Sequence, residues 1–115
     1  MILRHYRAHR ADPRRESGYL PWLRTLPCVV CSLWGFSIKG YSGWIETAHV
    51  GQRGMSQKCP DREALPLCVW HHRMGPHAVH VLGRNFWTFW KLDRYALIAA
   101  HQQQFKKEHE KRNAA

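Results

Sequence analysis

The chain has 115 residues, enough for one domain with one modest core. Lys plus Arg number 18 and Asp plus Glu number 8, a formal charge of +10 with histidine neutral, which favours a polyanionic partner, nucleic acid first. No stretch approaches the roughly 18 apolar residues of a membrane span, and the charged start Met1-Ile-Leu-Arg lacks the apolar run of a secretory signal. An integral membrane protein is excluded on this reading, and a cytoplasmic location is expected.

Residues 1–18 carry Arg4, Arg7, Arg10, Arg14 and Arg15, with Pro13 and Gly18 against a long helix, and read as a basic arm. Residues 19–26 are apolar at several positions, with Pro21 suited to a first helical turn. Residues 35–43 are punctuated by Gly35, Gly40 and Gly43 and read as a loop. Residues 44–50 have β-branched and aromatic character, which predicts a strand ending near His49. Residues 51–62 are polar and loop-like. Residues 64–67 form a short apolar strand or turn. Residues 68–74 suggest a short helix stopped by Gly75-Pro76.

After Gly83 the period becomes helical, with Phe86, Trp87 and Trp90 on one core-facing side. Stacking of bases on residues 86–90 is the lesser alternative to core packing. Asp93 is placed to cap a second helix, whose stripe of Tyr95, Ile98, Gln102 and Phe105 is thinner. The run from Lys106 to Arg112 mixes charges and reads as a solvated helix end. This divides the chain into an arm at 1–18, a domain at 19–98 and a charged helix end at 99–115.

Four Cys and nine His carry the chemistry. Cys28-x2-Cys31 is followed, after 36 intervening residues, by Cys68-x2-His71. Two short pairs of this kind place four donors around one tetrahedral ion, and three thiolates with one imidazole suit Zn2+. A Cys-x2-Cys knuckle first and a helix-borne pair last is the treble-clef arrangement. Cys59 could replace His71 as fourth ligand, but it sits alone in a polar loop. His72 could exchange with His71 in the same shell.

With His71 assigned, His49 ends a strand and His72 points to a different helix face from the zinc pair. A strand-end His facing a helix His, with zinc holding both elements, is the ββα-metal layout. Thr47-Ala48-His49, Gly54-Met55, Lys58-x2-Asp61, Pro66-Leu67-Cys68-x2-His71-His72 and His80-x2-Gly83-x2-Phe86-Trp87 together resemble the HNH endonucleases. The similarity is to small phage and prophage HNH-like enzymes related to the recombination-enhancement nucleases, and it spans about residues 19–98.

The resemblance implies a small α+β, zinc-stapled treble clef with C-terminal helices and metal-dependent hydrolysis of DNA. It implies His49 as the general base on water. It implies His72, with His80 as partner, on a catalytic Mg2+ or Mn2+. His77 is the alternative to His80. A phage or recombination protein is an implied further partner.

Two positions depart from the signature. The middle Asn is absent; direct counting puts Glu63 there, and Asp61 is close by and preferred. Ala48 stands where many such sites carry a metal-binding His or Asp. Arg53, Lys58, Arg62, Arg73 and Arg84 flank the motif and suit phosphate contacts. His5, His9, His101 and His109 are expected to be solvated. The alternative function is a zinc-containing nucleic-acid-binding module with weak or no catalysis.

Overall fold

The computed structural model of the chain describes residues 18–36, 44–51 and 59–114, with side chains to Glu110. Most of the basic arm, the centre of the first loop, and Arg53, Gly54, Met55 and Lys58 lie outside these residues, as do His5 and His9. Helix α1 (Tyr19–Leu23) and helix α2 (Val29–Trp34) lead to a two-stranded antiparallel sheet, β1 (Ile45–His49) with β2 (Ala64–Cys68). Short helices α3 (Val79–Leu82) and α4 (Asn85–Phe89) and the long helix α5 (Arg94–Ala114) follow. The described residues form a small α+β unit, and no helix among them is long and apolar enough to cross a membrane.

The register pairs Ile45 with Cys68 and His49 with Ala64. His49 therefore stands at the end of the hairpin closed by the connecting loop, and Cys68 at the open end. All five β2 residues are buried. A strand covered on both faces reads as a continuous apolar run, and Ala64-Leu-Pro-Leu-Cys68 is one. Pro66 is tolerated because a two-stranded sheet leaves an edge on β2, where no ladder donor is needed.

The main core joins Val29 and Val30 of α2, Ala48 of β1, Leu65 and Leu67 of β2, Phe86 and Trp87 of α4 and Ile98 of α5. Phe86 is fully buried, with its ring edge-on to Trp87 at 4.9 Å. Phe86→Ala is expected to destabilise the domain by about 3–5 kcal/mol through lost burial and a residual cavity. Urea denaturation of the metal-loaded protein reads this out, and a loss below about 1 kcal/mol would mean that α4 is peripheral.

A smaller core of Tyr19, Leu23 and Ala64 is closed by Phe105 of α5. Phe105 packs edge-on against Tyr19 at 5.0 Å and against Trp22 at 5.2 Å.

Helix α5 begins where expected, with Asp93 Oδ1 accepting the Ala96 N–H at 3.1 Å. Its expected stripe is corrected at one position. Ile98 is buried and Phe105 half-buried, but Tyr95 is 49% exposed. In place of core contact, Tyr95 stacks under the Arg94 guanidinium at 4.7 Å. The boundary expected at residue 98 falls inside this one helix.

Beyond it, Gln102 Nε2 donates to the Arg62 carbonyl at 2.7 Å, and the Trp22 indole donates to Glu108. His101 is half-buried, not solvated, and its Nδ1 donates to the Leu97 carbonyl at 2.8 Å. Lys106, Lys107, His109 and Glu110 are exposed, as the charge pattern suggested.

Candidate functional site

Helix α2 starts at the first cysteine pair. Cys28 is its N-cap, and the Ser32 N–H bonds the Cys28 carbonyl at 2.9 Å. Gly35 ends it in the left-handed region at φ 73°. The second pair straddles the end of β2 and a helical turn at Trp70–Met74. That turn is wide: Gly75 N–H reaches the Trp70 carbonyl, five residues back, at 2.8 Å. A Cβ on Gly75 would lie 2.7 Å from both the Trp70 ring and the Trp70 carbonyl, so glycine alone fits there.

Single wide turns of this type recur at functional sites because they re-aim side chains. Here His71 turns inward and His72 outward.

Cys28, Cys31, Cys68 and His71 are all buried, and their ligand atoms lie within 4.8 Å of one another. The His71 Nδ1 is 3.7, 3.5 and 3.2 Å from the sulfurs of Cys28, Cys31 and Cys68, and the Cys31 and Cys68 sulfurs are 3.9 Å apart. An ion with bonds of about 2.3 Å to sulfur and about 2.05 Å to nitrogen spaces tetrahedral ligands by about 3.8 Å (S to S) and about 3.6 Å (S to N). The cluster therefore has the size and donor chemistry to hold a structural metal such as zinc.

The hydrogen bond with Cys68 lowers the Cys28 thiol's pKa, and the same bond with burial raises that of Cys68. Phe36 stacks on the His71 ring at 5.7 Å and Trp90 meets it edge-on at 5.1 Å, shielding the cluster. Cys59 is buried apart from the cluster, its thiol donating to the Pro60 carbonyl at 3.6 Å.

On the other side of the hairpin, His49, His72, His80, Arg84 and Arg94 line one cleft of about 210 Å³. His49 Nε2 lies 2.8 Å from Asp61 Oδ1. The Nε2–H donates to that carboxylate, which leaves the Nδ1 lone pair for another partner. Asp61, at the start of a single 3-10 turn (Asp61–Glu63), is thus the acidic neighbour of His49. Glu63 lies against Gly51, where an added Cβ would come within 2.0 Å of its carboxylate.

His72 Nδ1 lies 2.7 Å from Glu46 Oε1, an arrangement in which Nδ1–H donates and Nε2 keeps its lone pair. Burial lowers the His72 pKa against the pull of Glu46, which favours the neutral imidazole. Arg73 clamps the same carboxylate with bonds of 3.0 and 3.2 Å, and these bonds first, then His72, hold Glu46 below the ordinary carboxylate range.

The His80 ring, carried by α3, meets the His72 ring edge-on at 4.6 Å. His77 does not line the cleft; it stacks on Phe89 at 4.4 Å. Among the described residues the Cys3His cluster is the one group of three or more metal-type side chains close enough to share an ion. His72 and His80 place two imidazoles side by side at the cleft.

Of the flanking basic residues, Arg84 lines the cleft, Arg73 is committed to Glu46, and Arg62 is exposed. Two residues that matter here were missed by the sequence reading. Glu46 lies in β1 between Ile45 and Thr47, and only the helical turn brought over it reveals its partners. Arg94 reaches back from α5 to the Val50 carbonyl, donating at 3.0 Å. No protein-family profile, curated protein or solved structure matches the chain.

Proposed function

We propose that this chain is a metal-dependent, HNH-like endonuclease that hydrolyses DNA phosphodiester bonds on a treble-clef scaffold stapled by zinc. The observation that supports it best is the pairing of two histidine–carboxylate dyads on one small domain. His49–Asp61 and His72–Glu46 place both imidazoles at a single cleft that also holds His80, Arg84 and Arg94. Phosphodiester hydrolysis needs a proton acceptor for the attacking water and positive charge around the phosphoryl oxygens.

In this reading His49 Nδ1 accepts the water proton. Asp61 fixes the tautomer by accepting Nε2–H and stabilises the imidazolium that forms. His72 Nε2 and His80 hold the divalent cation, and Glu46 orients His72, as carboxylates commonly orient metal-binding histidines. The cation, when bound, supplies Lewis-acid stabilisation of the phosphate and the leaving oxygen. Cys28, Cys31, Cys68 and His71 hold Zn2+ as a structural ion.

The test is relaxation of supercoiled plasmid by zinc-loaded protein with Mn2+ or Mg2+. Nicking that needs added cation supports the reading. Salt-sensitive DNA binding without nicking would replace it with a nucleic-acid-binding module.

A further inference from the structure

The cleft does not end at its histidines. Arg84, Trp87 and Arg94 are shared with a second, shallower groove that continues over Lys91 and Tyr95. Arg94 is fixed in place there. It donates to the Val50 carbonyl and to the Tyr95 hydroxyl, each at 3.0 Å, and lies over the rings of Trp87 at 5.6 Å and Tyr95 at 4.7 Å. None of these partners is an anion, so the charge of Arg94 is uncompensated by them. Arg84 and Lys91 are exposed.

The groove's one acidic residue, Asp93, is occupied with the Ala96 N–H at the start of α5. Among the described residues, no ion pair joins Arg84, Lys91 or Arg94 to a carboxylate. The neighbouring Arg73, by contrast, is neutralised by Glu46.

A row of three cations with no counter-charge among the described residues, one of them held against aromatic rings, is matched by an evenly charged polyanion. Two such grooves joined end to end suit an extended chain of phosphates better than one small anion.

We propose that Arg84, Lys91 and Arg94, with Tyr95 at their edge, form a shelf that holds the sugar-phosphate backbone of DNA and leads it into the histidine cleft. The shelf rests on the nucleic-acid part of the reading above and is independent of the chemistry assigned to His49. Arg94 is the fixed point, and Arg84 and Lys91 grip phosphates on either side of it. These contacts position the strand and carry no sequence preference.

The test is fluorescence anisotropy of a labelled 20-base-pair duplex with zinc-loaded protein, without Mn2+ or Mg2+, across a salt series. Arg84→Gln with Lys91→Gln is compared with Lys106→Gln with Lys107→Gln, which changes two exposed lysines on α5 away from the shelf. Each phosphate contact contributes about 0.9 to the slope of log affinity against log salt. The shelf pair is expected to reduce the slope by about 2 and to weaken binding at least tenfold in ~100 mM salt, whereas the α5 pair changes affinity less than about threefold. All of these variants are surface changes and should keep zinc and melt as the wild type does.

An unchanged slope in the shelf pair, an equal loss in the α5 pair, or no DNA binding by the wild type would overturn the shelf. A wild type that binds through the shelf and never nicks would leave it standing and remove the nuclease.

Discussion

His49→Ala is expected to reduce plasmid nicking by about 10²–10⁴-fold, the usual worth of a positioned general base. The side chain is 35% exposed at the end of β1, outside both cores, so its removal leaves the fold and the metal cluster in place. Zinc content, melting temperature and duplex affinity should match the wild type. Asp61→Ala should act in the same direction but less, about tenfold, because it removes orientation and charge stabilisation and leaves the base itself.

The order of these effects is informative. A larger loss in Asp61→Ala than in His49→Ala would exchange the two roles. Nicking by His49→Ala at the wild-type rate would end the assignment of His49 as base.

Removal of the metal proposed for the Cys3His cluster should have the largest effect on stability. A site that binds only the folded chain contributes about 4 kcal/mol when the free metal stands a thousandfold above its dissociation constant. For a domain of this size that corresponds to a fall of at least about 15 °C in the melting temperature. The physical reason is local. The cluster ties α2, the end of β2 and the Trp70–Met74 turn together, and those elements are too short to hold their places alone.

Without the ion, three thiols and an imidazole face one another in a buried site with no ligand to satisfy them all. Cys68→Ala should reproduce the loss even with zinc in excess, since Cys68 is central to both the strand end and the cluster. Chelation that leaves the thermal transition unchanged would show that the four residues are merely close. The histidine cleft lies on the far side of the same turn, so loss of metal should also displace His72 and abolish nicking.

Much of this arrangement is legible in the residues. The Cys-x2-Cys and Cys-x2-His spacing is a local property, because each pair bridges a single turn whose geometry the backbone dictates. The strand ending at His49, the Asp93 cap and the core role of Phe86 and Trp87 are likewise local in origin, being matters of period and capping. The short helix α3 was not read, because Val79-His-Val-Leu82 has too few residues to display a helical period.

Pairings across the chain are of another kind. The sequence preferred Asp61 to Glu63, but the contact itself needed the hairpin register, which sets Ala64 opposite His49 and leaves Asp61 within 2.8 Å of its ring. The place of His80 beside His72, with His77 turned to Phe89, needed the path of α3.

Amino-acid order alone determined the charge and the spacing of the four metal-type ligands, but not the helix Val29–Trp34 that carries Cys31 or the strand end that carries Cys68. The packing of the Trp70–Met74 turn, α3, α4 and α5 against the hairpin determined the rest. It aimed Glu46 at His72, brought Arg94 to the cleft and laid Phe105 over Tyr19. Spacing along a chain specifies contacts within a turn or a strand pair, whereas contacts 26 or 44 residues apart exist only once a shared core has chosen which faces meet.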